Sequence, residues 1–111
     1  MRIAMIGTGY VGLVSGACFA DFGHTVTCVD KDERKIAGLH QGKMPIWEPG
    51  LDALVAHNVQ RGRLHFTTDL KEGLKDVDAV FIAVGTPARH GDGHADLSYV
   101  YAAAKEIAET L

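Results

Sequence analysis

The chain has 111 residues, 47% hydrophobic and 23% charged, with a formal net charge of −3. That length suits one domain with a real core rather than two, and the composition is that of an ordinary globular protein. The charge lacks the basic signature of nucleic-acid binding, no apolar run reaches membrane-span length, and no basic-then-apolar leader precedes the first strand, so a cytoplasmic protein with no nucleic-acid or membrane partner is expected. Cys18 and Cys28 fall in a helical and a strand-like segment and read as reduced, structural cysteines that pack as small hydrophobes.

The first element is an apolar strand, Ile3-Ala4-Met5-Ile6, leading into Gly7-Thr8-Gly9-Tyr10-Val11-Gly12 and then an apolar helix over residues 10–22. A second strand, residues 25–30, ends on Asp30, which stands 21 positions after Gly9. Strand, Gly-x-Gly-x-x-Gly, helix, strand and acid in that order form the dinucleotide-binding fingerprint. Gly7 permits a tight turn off the strand, Gly9 lets the backbone approach a pyrophosphate, and Gly12 lets the helix pack closely. The N–H groups of Tyr10, Val11 and Gly12 begin a helix without internal acceptors. They offer an anion site to which the helix dipole adds ~0.3–1 kcal/mol.

Asp30 selects the cofactor. Its carboxylate can accept hydrogen bonds from the adenosine ribose of NAD. A 2′-phosphate would meet it with a repulsion of about 4 kcal/mol at ~4 Å and an effective dielectric of ~20, roughly a thousandfold preference for NAD over NADP. Lys31 and Arg34 lie close enough in sequence to weaken that preference.

The first helix is apolar nearly all round, so burial on several sides is expected, with Gly23 as its stop. Asp32 reads as the cap of a helix to about His40 that carries Lys35 one turn beyond Asp30, either reaching the same ribose or solvated. Residues 41–50 hold two prolines and two glycines and form a loop whose Met44, Ile46 and Trp47 cover either a cofactor edge or the core. Leu51, Leu54, Val55 and Val59 share one face of a surface helix ending near Gly62. A short strand at Leu64-His65-Phe66-Thr67 follows, then Asp69 and Glu72 as a capping box for a short helix through Lys75.

Residues 78–84 are continuously apolar after Asp78, as in a central parallel strand covered on both faces. Gly85-Thr86-Pro87 follows directly. In a 3-2-1-4 sheet the ligand crevice opens between strands one and four, so Thr86 faces the glycine loop there, or serves only as a turn residue. Residues 88–95 form a polar loop. His90, Asp92, His94 and Asp96 bear metal-ligating atoms, but no fixed turn pins them and no metal site is read there. Asp96 is expected to cap a final helix with Leu97, Val100, Tyr101, Ala104, Ile107, Ala108 and Leu111 at helical spacing. The predicted fold is α/β, a Rossmann-type doubly wound parallel sheet truncated after the fourth strand and its following helix. Residues 1–111 read as an incomplete N-terminal NAD-binding domain of a longer protein.

The chain resembles the UDP-glucose/GDP-mannose dehydrogenase family along essentially its whole length. The resemblance rests on Ile6-Gly7-Thr8-Gly9-Tyr10-Val11-Gly12-Leu13-Val14, Cys28-Val29-Asp30, Lys35-Ile36, Pro45-Ile46-Trp47-Glu48-Pro49-Gly50-Leu51 and Gly62-Arg63-Leu64. Thr67-Thr68-Asp69, Val84-Gly85-Thr86-Pro87 and Asp96-Leu97-Ser98-Tyr99 extend it. It implies a four-electron oxidation at the C6 hydroxyl of a nucleotide sugar, UDP-glucose to UDP-glucuronate, with two NAD+ and a cysteine thiohemiacetal. By position, Val11, Asp30, Lys35 and Thr86 match the family's NAD contacts, with the glycine loop on the pyrophosphate. The family's catalytic segments lie beyond these residues, and neither Cys18 nor Cys28 matches the nucleophile's motif. The resemblance also implies a homodimer when full length, and a product that feeds polysaccharide synthesis.

Trp47, where the family often has tyrosine, and the histidines of residues 89–94 depart from the family's pattern. GDP-mannose or UDP-N-acetyl-mannosamine is the alternative substrate, and a non-catalytic NAD-binding module is the alternative of another class. A β-hydroxyacid dehydrogenase is disfavoured by Glu48-Pro49-Gly50. An FAD domain is disfavoured because Gly85-Thr86-Pro87 has no evident flavin role.

Overall fold

The computed structural model describes residues 1–87 and 91–111. In chain order it contains β1 (Arg2–Ile6), α1 (Tyr10–Asp21), β2 (Thr25–Val29), α2 (Glu33–His40), α3 (Leu51–Gln60), β3 (Leu64–Thr67), α4 (Leu70–Gly73), β4 (Ala79–Ile82) and α5 (Ser98–Thr110). The four strands form one parallel sheet in the order β3-β2-β1-β4, with Ile6 paired to Val29 on one side and to Ile82 on the other. The α/β class and the 3-2-1-4 order agree with the sequence reading.

Strand alternation divides the core between the two sheet faces. Ile3 and Met5 of β1, with Val26 and Cys28 of β2, pack with Leu13 and Ala17 of α1 and Leu51 and Val55 of α3. Ala4 and Ile6 instead join Val29, Leu74 and Ile107 in a second, smaller cluster with α4 and α5 packed against it. Helices on both faces make the sheet doubly wound.

Several expectations need correction. Helix α1, expected to be buried on several sides, is only partly covered by the described residues. Gly12, Leu13, Gly16, Ala17 and Ala20 face the protein, while Tyr10, Val11 and Phe22 remain exposed. On α3 Asn58 is buried beside Leu51 and Val55 while Val59 is exposed; the Asn58 amide nitrogen donates to Asp21 Oδ1 at 3.2 Å and to the Leu54 carbonyl at 2.9 Å, and its Oδ1 is buried without a partner among the described residues. Strand β4 lies at the sheet edge with β1 as its one strand neighbour among the described residues, and Phe81 and Ile82 are exposed. An apolar run records the burial its residues favour, not the neighbours a given length of chain supplies. Phe81 leans on Phe19, with ring centroids 5.2 Å apart.

Two caps also differ in detail. Asp69 accepts from Lys71 N–H at 3.0 Å, but Glu72 does not close a reciprocal box. The Asp69 N–H instead donates to Thr67 Oγ1 at 3.0 Å, and that hydroxyl donates to Glu72 Oε2 at 3.0 Å, so a threonine relays the cap. Leu97 holds the cap position of α5 without a side-chain bond, and Asp96 acts one residue earlier by accepting from Ser98 N–H at 2.9 Å. Along α5 Ile107 is buried and Val100 and Ala103 are half-buried, whereas Tyr101, Ala104, Ala108 and Leu111 are exposed. The apolar arc of this helix is wider than the part of the sheet it covers.

Candidate functional site

The carboxyl ends of β1, β2 and β4 open onto a cleft of about 1160 Å³. Gly7, Gly9, Tyr10, Val11, Asp30, Lys35 and Thr86 all line it, so seven of the eight residues singled out from the sequence meet in one place. The eighth, Gly12, lies behind the lining. A Cβ there would stand 1.9 Å from the Gly7 carbonyl oxygen, so Gly12 is the point where α1 presses against the turn. Gly7 makes that turn with φ +108°, a backbone region that side chains disfavour, and its own Cβ would meet the Ala83 carbonyl oxygen at 2.5 Å. Gly9 differs, because a Cβ on it would meet nothing within 4 Å.

Helix α1 begins at Gly9 with no side-chain cap and no acidic residue in its first turn. Its leading N–H groups and the positive end of its dipole are therefore left for whatever occupies the cleft. A few ångströms of charge design accompany this. Asp30, just beyond β2, accepts the Thr8 N–H at 2.9 Å and the Thr8 hydroxyl at 2.6 Å on Oδ2, and the Asp32 N–H at 2.9 Å on Oδ1. Burial pushes the carboxyl up, but the hydrogen bonds from the Thr8 hydroxyl and from the Asp32 and Thr8 N–H groups, with the Lys35 charge, outweigh it. The net direction is downward, so Asp30 is ionised at neutral pH.

Lys35 is placed by α2, whose cap Asp32 accepts from Arg34 N–H at 3.0 Å and Lys35 N–H at 3.3 Å. Lys31 also lines the cleft but is ion-paired with Glu106 of α5, and Arg34 is exposed and absent from the lining. The loop of residues 41–50 does not reach the cleft. Met44 and Ile46 rest on the core beneath it, and Trp47 is 86% exposed. His90 of the polar loop lies outside the described residues, and the Asp92 carboxylate accepts from His94 N–H at 3.0 Å.

Thr8 and the α5 residues Tyr99, Ala103 and Glu106 belong to this region and were not singled out from the sequence. Tyr99 belongs to the Asp96-Leu97-Ser98-Tyr99 segment of the family resemblance, which carries no site role by itself. Thr8 carried one local signal, a hydroxyl between two glycines, but its partner lies 22 residues away. Glu106 meets Lys31 across 75 residues.

The whole chain, residues 1–111, matches the NAD-binding domain of the UDP-glucose/GDP-mannose dehydrogenase family. It is 71% identical over 111 residues to a UDP-glucose 6-dehydrogenase of Rhizobium meliloti, covering 100% of this chain and 25% of that protein. Among solved structures it is similar to a ternary complex of a GDP-mannose dehydrogenase from Pseudomonas aeruginosa, with a TM-score of 0.92 and 45% identity over 99% of this chain and 25% of that one. A UDP-glucose dehydrogenase from Pyrobaculum islandicum superposes with a TM-score of 0.89 at 40% identity, over 96% of this chain and 24% of that one. The chain thus spans about a quarter of the length of these relatives. With the glycine turn, the open helix end and the strand-end carboxylate on one cleft, it belongs to the UDP-glucose/GDP-mannose dehydrogenase family and corresponds to its NAD-binding domain.

Proposed function

We propose that residues 1–111 are the N-terminal, cofactor-binding part of an NAD-dependent UDP-glucose 6-dehydrogenase whose substrate-binding and catalytic segments lie outside this chain. The observation that carries the cofactor reading is the meeting of an uncapped helix end and an ionised carboxylate in one cleft. The residues fit a dinucleotide. The α1 N–H groups bind the pyrophosphate over the open face at Gly9, and Asp30 accepts from the adenosine ribose. Lys35 reaches towards the same ribose, and Thr86 borders the nicotinamide half. NAD+ held here would supply the hydride acceptor for the sugar oxidation, and the chain's own part is to bind, orient and screen by charge. Asp30 opposes a 2′-phosphate, and Lys31 is engaged by Glu106.

The choice of UDP-glucose rests on the 71%-identical relative of that name, and the whole protein's substrate, partners and setting are proposed with it. We place it in the cytoplasm as a homodimer that makes UDP-glucuronate for polysaccharide synthesis. Its two free cysteines accord with a reducing compartment. The likeness to a GDP-mannose dehydrogenase supports a second reading, oxidation of GDP-mannose.

The test is NADH yield by absorbance from the full-length gene product, with limiting UDP-glucose, GDP-mannose or UDP-N-acetyl-mannosamine and excess NAD+ or NADP+. Two NADH per UDP-glucose, with little from NADP+, is the expected result. Turnover of GDP-mannose alone would move the substrate, and one NADH per sugar would remove the four-electron reaction. Tight NAD+ binding without turnover of any sugar would leave a non-catalytic module.

A further inference from the structure

Asp30 is held from two directions. Thr8 is fully buried between the two glycines of the turn, and both of its donors, N–H and hydroxyl, point at the single oxygen Oδ2 at 2.9 and 2.6 Å. The other oxygen, Oδ1, accepts one hydrogen bond, from Asp32 N–H at 2.9 Å. An ionised carboxylate has about four acceptor positions, so three are taken by the protein. The buried threonine has little freedom of its own, since β-branching restricts χ1 and the site leaves no solvent to compete for the hydroxyl. A carboxylate bound at both oxygens keeps its plane and cannot swing away from a ligand.

We propose that Thr8 is a positioning residue for cofactor selection, whose hydroxyl clamps Asp30 to the glycine turn so that Oδ1 faces the ribose. The proposal rests on the reading of Asp30 as the ribose acceptor. Affinity for NAD then depends on a side chain that need not touch the cofactor. Discrimination against a 2′-phosphate does too, because a carboxylate free to rotate can move aside and soften the repulsion. The same hydrogen bonds join the β1 turn to the end of β2, so the pyrophosphate-facing and ribose-facing parts of the site hold a fixed relation to each other.

The experiment is a titration of the full-length protein with NAD+ and NADP+, by calorimetry, in wild type, Thr8→Val, Thr8→Ser, Asp30→Ala and the double variant Thr8→Val/Asp30→Ala. Thr8→Val is expected to weaken NAD+ roughly tenfold, the order of one hydrogen bond to a charged group, and to narrow the NAD+/NADP+ ratio. Thr8→Ser restores both values, and Thr8→Val adds nothing once Asp30 is alanine. If Thr8→Val fails to fold, Thr8→Ala removes the hydroxyl with less bulk and carries the same comparison. Wild-type affinity and ratio in Thr8→Val or Thr8→Ala, beside a loss in Asp30→Ala, would overturn the clamp. So would an equal loss on top of Asp30→Ala, which would make Thr8 a loop residue acting without the carboxylate. Unchanged NAD+ affinity in Asp30→Ala would overturn the ribose reading itself, a distinct result.

Discussion

A Cβ on Gly7 would stand 2.5 Å from the carbonyl oxygen of Ala83, so the turn after β1 and the exit of β4 are as close as two backbones can pack. The mouth of the cleft depends on that approach, because Thr86 follows three residues later and lines it. The glycines of the fingerprint consequently divide by what a methyl group would meet. Gly7→Ala combines a backbone clash with φ +108°, and Gly12→Ala drives a Cβ to 1.9 Å from the Gly7 carbonyl. Each is expected to cost about 3 kcal/mol or more of stability, within the range for strained backbone and overpacking. Gly9→Ala meets open space, so its unfolding midpoint stays near wild type while NAD+ affinity falls. Urea unfolding and NAD+ titration of the three variants in the full-length protein check the division.

Lys31 and Glu106 form an ion pair beside the cleft, with side chains 80% and 38% exposed. A cation engaged in this way is less available to a 2′-phosphate. Glu106→Gln is expected to raise NADP+ affinity by roughly two- to fivefold with little change for NAD+, a small effect because exposed pairs are weak, about 0–1 kcal/mol. The gain should shrink at high salt. Parallel titrations at low and high ionic strength measure it. A gain for both cofactors would instead indicate a general change in the site's charge.

Asp30 has its pKa lowered in the folded chain relative to its unfolded value, the hydrogen bonds and Lys35 outweighing burial. A depressed carboxylate contributes stability that is fully present above the unfolded value of about 4 and is lost as pH falls through the folded value. Urea midpoints of wild type are therefore expected to decline below about pH 4 more steeply than those of Asp30→Asn, which cannot titrate there. At neutral pH the asparagine variant is the less stable of the two. Parallel curves for both proteins across the acid limb would contradict this.

Burial raises the Cys28 thiol from 9.0 to about 12, and no accessible surface remains on the residue. Thiolate is the reactive form, so Cys28 is expected to escape iodoacetamide in the native protein up to pH 9 and to react fully once unfolded. Cys18, which is half-buried, is alkylated faster. Peptide mass spectrometry of native and urea-treated protein reads both residues. Native labelling of Cys28 at a rate equal to that of Cys18 would show that the sheet opens at β2.

The order of the elements and most of the residues that line the cleft were legible in the linear sequence, because their signals are local. Period and composition marked β1, β2 and the helices, and Gly7, Gly9, Gly12 and Asp30 stand at spacings dictated by one turn and one crossover. Asp32 capped α2 as its position implied, through bonds spanning two and three residues. What only the tertiary structure decided involves partners far apart in the chain: Thr8 on Asp30, Lys31 on Glu106, and α5 as a wall of the cleft. Burial showed the same divide. Hydrophobicity identified which faces of α1, α3, β4 and α5 favour shelter, but a side chain's exposure depends on which neighbours arrive. Asn58 is buried where Val59 is exposed, and its amide N–H group reaches Asp21 on another helix, a relationship that no local window of sequence contains.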